Sequence, residues 1–405
     1  MRFLIHTQFY PPEMGAPQAR LSDLAGRLTK LGHTVEVLTA MPNYPAGKIL
    51  EGYGGWYRRD AHENMPVHRC WILPSNKASL VARLASYLSF AFSSLLTGIA
   101  RTGPADVVLT ESPPLFVACA GLLIARWKGA KWIMNVSDLW PESAKDIGLL
   151  AERSLSYRAL GFMAGFLYRR AWVVTGQSPG IVEGVARRTP EATTYHLSNG
   201  VDTARFARAM ADPEVRRRYL ADSELGFVYA GLHGLFQGLD QILHVAGKTS
   251  DLPVRFLLFG DGPVKGELQA AATASGLKNV ALHPALPHGE MASLLASMDV
   301  SVVTLKTDIG GAVPSKIYEA MACGLPVLLV AGGEGAEIVR NGGSGIAVSP
   351  GDILGFEAAV RRLAADAALR RQMGDAGQAL VCAHYDRTTI AASFVNELER
   401  RMTPA

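Results

Sequence analysis

The stretch Pro314-Ser315-Lys316-Ile317-Tyr318-Glu319-Ala320-Met321-Ala322-Cys323-Gly324-Leu325-Pro326-Val327 joins the start of a helix to a buried strand. Proline in a first helical turn gives up an amide that has no partner there, and the amides left over carry the positive end of the helix dipole. An anion in front of such a turn is stabilised, and phosphate suits it well. Lys316 adds a full charge, while Glu319, one turn on, offers a carboxylate that can accept from two sugar hydroxyls. Phosphate near Pro314, Ser315 and Lys316 and a diol near Glu319 together predict a nucleotide-sugar ligand. An ordinary helix-strand unit with a surface lysine remains the plainer alternative at this point.

Outward from this segment, both halves of the chain alternate short β-branched runs with longer helical ones, the pattern of parallel sheets with crossover helices. Residues 2–6, 34–39, 106–110, 131–136, 171–175 and 193–197 read as strands of a first domain. Residues 226–231, 254–259, 279–282, 300–305, 326–330 and 345–348 read as strands of a second. The fold class is α/β, with two doubly wound, Rossmann-like domains. Asn199-Gly200-Val201-Asp202 closes the last strand of the first half, and the arginine-rich stretch 204–224 has no strand pattern. The domains therefore span 1–203 and 204–385, with a final helix over 386–402.

With 405 residues, 49% of them hydrophobic, the chain can bury two cores and is not mainly disordered. A net charge of +4 without a long basic run argues against nucleic acid as a partner. The four cysteines are scattered without metal-ligand spacing, which implies a reducing compartment. The start breaks at once into Tyr10-Pro11-Pro12-Glu13 instead of an apolar signal region, so a cytoplasmic location is expected. Two segments complicate that. Leu84–Ala100 carries no charge between Arg83 and Arg101, but it is short and serine-rich for a bilayer span, so it reads as a core or partly membrane-touching helix. Leu155–Trp172 combines Arg158, Arg169 and Arg170 with Phe162, Phe166 and Tyr168, as a helix lying on an anionic surface does, or as a core-facing helix with solvated arginines does.

Loops at the carboxyl ends of strands hold the ligands of doubly wound folds. Three qualify: Phe9–Pro17 with Gly15 and Ala16, Val228–Asp240 with Gly231 and Gln237, and Asp138-Leu139-Trp140-Pro141-Glu142-Ser143. Asp138 is placed to orient a substrate hydroxyl, or else to cap the next helix. Phe259-Gly260-Asp261-Gly262-Pro263-Val264-Lys265-Gly266 is spaced one residue too long for a dinucleotide fingerprint, and no acidic residue follows the next strand. No cofactor is expected, and no metal, since neither a metal-ligand motif nor an Asp-x-Asp occurs.

Pro-Ser-Lys-x-x-Glu followed by Met-Ala-x-Gly-x-Pro-Val resembles the donor-site segment of the family-4 retaining glycosyltransferases, which have the GT-B fold. The resemblance spans essentially the whole chain. It implies a cleft between the two domains, an acceptor-binding first domain with the last helix packed back on it, and a nucleotide-sugar-binding second domain. Many relatives carry two glutamates, the second at Glu319 and the first where this chain has Gly311. Many also carry an arginine and a lysine where Leu232 and Gln237 stand, leaving Lys316 as the diphosphate cation. Gly15 and Ala16 match the glycine-rich loop near the cleft, and Leu286 the loop that bonds the nucleobase through its backbone. Asn199 joins Gly15, Ala16, Gly231, Gln237, Leu286, Gly311, Pro314 and Ser315 as a donor-side candidate, and Asp138, Lys316 and Glu319 are the catalytic candidates.

The segment at Asp138 is similar to a bacterial subgroup that builds surface polysaccharide and lipopolysaccharide, including transferases of N-acetylated deoxyhexosamines such as fucosamine. The resemblance thus implies transfer, with retention and without metal, of an N-acetylated amino or deoxyamino hexose from a nucleotide diphosphate, UDP-linked, to a lipid-linked hydroxyl acceptor at the inner face of the cytoplasmic membrane. A nucleotide-sugar epimerase or hydrolase on the same fold, and a noncatalytic sugar-nucleotide-binding subunit, remain alternatives.

Overall fold

The computed structural model describes residues 1–403 apart from 14, 76–79, 147–149, 288, 308–310 and 312. Its contacts divide into a unit of Met1–Ser198 with Ala391–Ala405 and a unit of Asn199–Ile390. The division falls ahead of residue 203 because Val201 pairs with Asp386. The Val201 amide donates to the Tyr385 carbonyl (2.9 Å), and the Arg387 amide donates to the Val201 carbonyl (3.0 Å). These bonds hold 199–203 to the second unit's own chain.

In the first unit, the strands among the described residues are β1 (Arg2–His6), β2 (Thr34–Ala40), β3 (Tyr57–His62), β4 (Met65–Cys70), β5 (Val107–Ser112), β6 (Lys131–Val136), β7 (Val173–Gly176) and β8 (Thr194–His196). They form one sheet in the order β3-β4-β2-β1-β5-β6-β7-β8. Only β3 runs antiparallel to its neighbour. This hairpin is absent from the strand pattern read above. β3 is a mostly polar edge strand, Tyr-Arg-Arg-Asp-Ala-His, with no apolar alternation to reveal it. Its turn is made by Glu63 and Asn64, both with positive φ (49° and 66°), the geometry of a tight two-residue hairpin turn without the usual glycine.

The second unit holds β9 (Leu225–Ala230), β10 (Val254–Phe259), β11 (Val280–His283), β12 (Val300–Thr304), β13 (Val327–Val330) and β14 (Gly345–Val348) in the order β11-β10-β9-β12-β13-β14, parallel throughout. Successive side chains of a strand point to opposite faces, so a sheet covered on both sides needs two cores. Val228, Leu257, Phe259, Val303 and Leu329 pack with the helix Lys316–Ala322 on one face. Phe227, Tyr229, Phe256, Leu258, Val302 and Leu328 pack with Ile242, Leu268 and Phe356 on the other.

The order fixes where ligands can approach. The chain leaves β9 for β10 on one side and returns to β12 on the other, so no crossover covers the carboxyl ends of β9 and β12. The same reversal occurs in the first unit between β1 and β5.

Asp386 caps the helix Arg387–Met402. Its Oδ1 accepts from the Thr388 (2.8 Å) and Thr389 (3.0 Å) amides, and its Oδ2 accepts from the Thr203 hydroxyl (2.6 Å). Burial acts to raise its pKa, but the Thr203 hydroxyl and the amides outweigh that and hold the carboxyl below its ordinary value. Asp386→Ala should lower unfolding stability by about 1–2 kcal/mol in urea titration, as loss of a cap does. Because the folded pKa is depressed, the charged form's advantage is complete above an unfolded pKa of about 4 and fades as pH falls through the lower folded value. Asp386→Asn should therefore differ less from wild type on acidification.

Candidate functional site

Gly231 follows β9 with φ 146°, a conformation that side chains seldom adopt. A Cβ there would overlap the Nζ and Cε atoms of Lys316. The missing side chain makes room for an ammonium delivered from another element, the start of the helix Lys316–Ala322. Lys316 Nζ donates to Tyr229 Oη (2.7 Å) and stands 4.0 Å from the centre of the Tyr229 ring. Tyr229, fully buried in β9, passes its own proton to the Leu232 carbonyl (2.7 Å), so its oxygen keeps a lone pair for the ammonium. Burial pushes Lys316 down to about 8, with Glu319 opposing. Both residues keep some open surface at the end of the sheet, yet protein surrounds them densely enough to disfavour charge.

Burial pushes the Glu319 carboxyl up, opposed by the charges of Arg387, Lys316 and Arg205. Arg387 in turn donates to the Asn199 carbonyl (3.0 Å), which connects Asn199 to this corner. The helix opens at Lys316, whereas the sequence pattern starts it at Pro314; Pro314 and Ser315 instead form the turn before it, accepting from the Ile317 and Tyr318 amides. A two-turn helix has little dipole to offer, so the positive charge here is that of Lys316. Gly311 lies in a turn with φ 74°. Gln237 shares the loop after β9, its carbonyl accepting from Thr304 Oγ1 at the end of β12 (2.6 Å). Leu286 packs, partly buried, against the core beside β10 and β12.

Gly15, Ala16 and Asp138 belong to the other unit. Gly15 precedes the helix Ala16–Lys30 and is covered by the Gln18 side-chain amide, which a Cβ would displace. Met14 of the same loop lies outside the described residues. Glu13 proves to be a brace: its carboxylate accepts from the amides of Tyr10 (3.2 Å), Asn43 (2.8 Å) and Tyr44 (2.8 Å). Asp138 follows β6 and is exposed, with no hydrogen bond to its carboxylate among the described residues. It caps no helix, since the next begins at Glu142. Dense surroundings push its pKa up, Glu111 adds to this and Arg20 opposes it.

Glu111, at the end of β5, was not singled out by the sequence, yet it centres the polar network of this unit. It accepts from Arg20 Nη2 (2.6 Å), Asn135 Nδ2 and Ser137 Oγ, and Asn135 Oδ1 accepts from Thr175 Oγ1 (2.6 Å). The only trace of it in sequence is an acidic residue in an otherwise apolar strand just before Ser112-Pro113-Pro114. Tyr229 left no trace, because an aromatic in a strand usually packs as core.

Two α/β units, each with its polar residues gathered where strand order reverses, define a doubly wound, two-domain fold. Residues 15–200 match the family described as Glycosyl transferase 4-like domain, and residues 214–380 match Glycosyl transferases group 1. The chain belongs to the family-4 glycosyltransferases of the GT-B fold, and it is a glycosyltransferase. It is 27% identical over 332 residues to the putative colanic acid biosynthesis glycosyl transferase WcaI of Escherichia coli, covering 80% of this chain and 82% of that one. It is 29% identical over 309 residues to the probable glycosyltransferase WbjE of Pseudomonas aeruginosa, covering 73% and 76%. In fold it is similar to Anabaena HepE in complex with UDP, with a TM-score of 0.75 and 17% identity over 99% of this chain and 100% of that one.

A lysine whose folded pKa lies below its unfolded value of about 10.4 destabilises the fold at neutral pH. That penalty is complete below about 8 and shrinks as pH rises toward the unfolded value, because there the unfolded chain binds the extra proton. Lys316→Met should therefore raise the urea midpoint near pH 7, and its advantage over wild type should shrink between about pH 8 and 10. An advantage constant across that window would mean that Lys316 is not charged against its surroundings.

Proposed function

We propose that this glycosyltransferase moves an N-acetylated amino or deoxyamino hexose from a UDP-linked donor to a hydroxyl of a lipid-linked saccharide, with retention of configuration, in cell-surface polysaccharide assembly. The observation that carries the donor half is the Lys316 ammonium, held against Gly231 and Tyr229 where the second sheet reverses. A relative named for colanic acid biosynthesis and the likeness to a UDP complex support the polymer and the nucleotide.

In this reading Lys316 meets the diphosphate. As the bond from the sugar's anomeric carbon to the phosphate oxygen breaks, the electron pair leaves with that oxygen, and a fixed ammonium in a poorly solvated corner stabilises the charge without reorganising. The acceptor oxygen bonds the anomeric carbon on the same face, and its proton passes to the departing phosphate oxygen. Glu319 accepts from ribose or sugar hydroxyls, and Asp138, exposed and without a partner among the described residues, orients the acceptor hydroxyl. The charge on the leaving group is met by Lys316, so the scheme requires no metal.

The acceptor half rests on an inverted helix. In Leu80–Ala100 the buried positions include Ser86, Ser89, Ser93, Ser94 and Thr97, while Val81, Leu88, Phe92 and Leu96 are exposed. The serines have inward partners: Ser94 Oγ bonds His6 Nε2 (3.0 Å), Ser93 Oγ donates to the Trp71 carbonyl, and Ser89 Oγ accepts from the Leu73 amide (2.9 Å). The helix Leu115–Lys128 packs against it and against Leu155–Arg170, adding exposed Leu123, Trp127, Phe162 and Phe166. These three helices contain no aspartate or glutamate, whereas Arg83, Arg126, Arg158, Arg169 and Arg170 lie on them. Among the described residues no helix is long and apolar enough to cross a membrane. An apolar face carried by helices with arginines and no carboxylates of their own fits the surface of an anionic bilayer, where each arginine is worth about 1 kcal/mol, although Arg169 also pairs with Glu191 (3.7 Å).

The test of the reaction is acceptor-dependent turnover. With donor and lipid-linked acceptor, nucleoside diphosphate should be released together with a product of the donor's anomeric configuration. Lys316→Met should weaken nucleoside diphosphate binding by roughly 1.5–3 kcal/mol in calorimetry, the scale of a charge-assisted hydrogen bond, and Glu319→Gln should cut turnover while the fold persists. Acceptor-independent release, or a rearranged sugar nucleotide, would make the protein a hydrolase or an epimerase instead.

For the surface, the protein should sediment with vesicles containing anionic lipid, less at high salt. Reversing Arg169 and Arg170 to glutamate should release part of it. Equal recovery in the supernatant with neutral and anionic vesicles at low salt would remove the membrane from this reading.

A further inference from the structure

The donor corner contains a second ring that the scheme above does not use. His233 is fully buried, and among the described residues neither Nδ1 nor Nε2 makes a hydrogen bond; one nitrogen faces the Phe259 carbonyl without reaching bonding geometry. An imidazole deprived of water and left without partners is costly, and such groups occur where a ligand supplies what is missing. Its place is informative. His233 lies two residues past Gly231, in a surface loop where Leu232, Leu235 and Phe236 are exposed. Its ring centre is 5.9 Å from that of Tyr229, the same ring that carries the Lys316 ammonium. Gly260, at the end of β10, has no Cβ; one would come within 2.9 Å of His233 Cδ2.

We propose that His233 is a second diphosphate-binding residue, which becomes an imidazolium when the donor binds and donates one N–H to a phosphate oxygen and the other to the Phe259 carbonyl. The proposal rests on the reading of Lys316 as the diphosphate cation. It also accounts for how a chain with Leu232 and Gln237 in this loop compensates two phosphates.

The groups around the ring explain why it waits for the ligand. Burial pushes its pKa down, the charges of Lys265 and Lys316 push it further, and Asp261 and the Phe259 carbonyl oppose. The Lys265 ammonium is occupied by the carbonyls of Gly260 (2.8 Å) and His283 (3.0 Å), so it cannot turn away. A diphosphate arriving at Lys316 offsets the repulsion from the two lysines and gives the buried ring an anionic acceptor, and the ring takes up a proton as the complex forms.

The test is calorimetric titration of UDP, GDP and ADP into the wild-type chain, His233→Gln, His233→Phe and Lys316→Met at about pH 6 and about pH 8, with the matching nucleosides as controls. At the lower pH both His233 variants should bind the preferred diphosphate roughly tenfold or more weakly than wild type, the lower range of a charged hydrogen bond. The gap should narrow at the higher pH, and nucleoside affinity should be unchanged. Repeating the titration in buffers of different ionisation enthalpy should show wild type taking up more protons than His233→Gln.

If Lys316→Met weakens binding and the His233 variants do not, or if their deficit is the same at both pH values, His233 has no such role and the Lys316 reading stands. If Lys316→Met binds as wild type does, or wild type binds none of the three, the reading beneath the proposal fails as well. Should His233→Gln fold poorly by its melting temperature, His233→Asn provides the same comparison.

Discussion

A single half-buried ammonium, densely surrounded by protein, organises the second unit. Lys316 arrives from one element and is received by two others, Tyr229 in β9 and the bare Cα of Gly231 behind it. No carboxylate touches it among the described residues, so the charge is stabilised by a phenol oxygen, a ring face and the weaker field of Glu319. That is an expensive arrangement for a folded protein, since a cation out of water wants an anion in contact. In the proposed reading, a diphosphate in this corner would offset that cost. The glycine, the tyrosine and the helix start thus depend on one another, and all three lie where the parallel sheet leaves the ends of β9 and β12 open.

The first unit meets the same topological opening in a different way. Its strong charge, Arg20, is fully engaged by Glu111, which Asn135 and Ser137 also hold. The neighbouring Asp138 has its proton affinity raised by desolvation in its dense surroundings first and by the nearby Glu111 second. One unit therefore offers an uncompensated cation and the other an uncompensated, exposed carboxylate.

The helix Leu80–Ala100 shows how misleading composition is without packing. By hydropathy it is an apolar segment interrupted by serines, and the serines look like the defect. In the fold they lie on the buried side, because the carboxyl end of β1 and the chain after β4 present His6, the Trp71 carbonyl and the Leu73 amide, which need partners. Leu88, Phe92 and Leu96 are what is left outside, while Phe90 joins the serines in the core.

Much of the architecture was legible in the chain. The short β-branched runs, the helical stretches between them and the glycines at strand ends are local properties, and they predict two parallel α/β units; Lys316 and Glu319 stood out because their helix is local too. The polar edge strand β3 escaped, since none of its residues is fully buried and so it has no apolar alternation to show. The remainder of the candidate site is made of pairs far apart in sequence: Lys316 with Tyr229 across 87 residues, Arg20 with Glu111 across 91. Sequence by itself determined the elements, their parallel assembly and the residue types able to meet a phosphate and a diol, because periodicity and propensity act over a few residues. Only the tertiary structure decided that Gly231 makes room for Lys316, that Tyr229 carries it, and that His233 lies unpartnered beside them, because desolvation and hydrogen bonding depend on which distant atoms become neighbours.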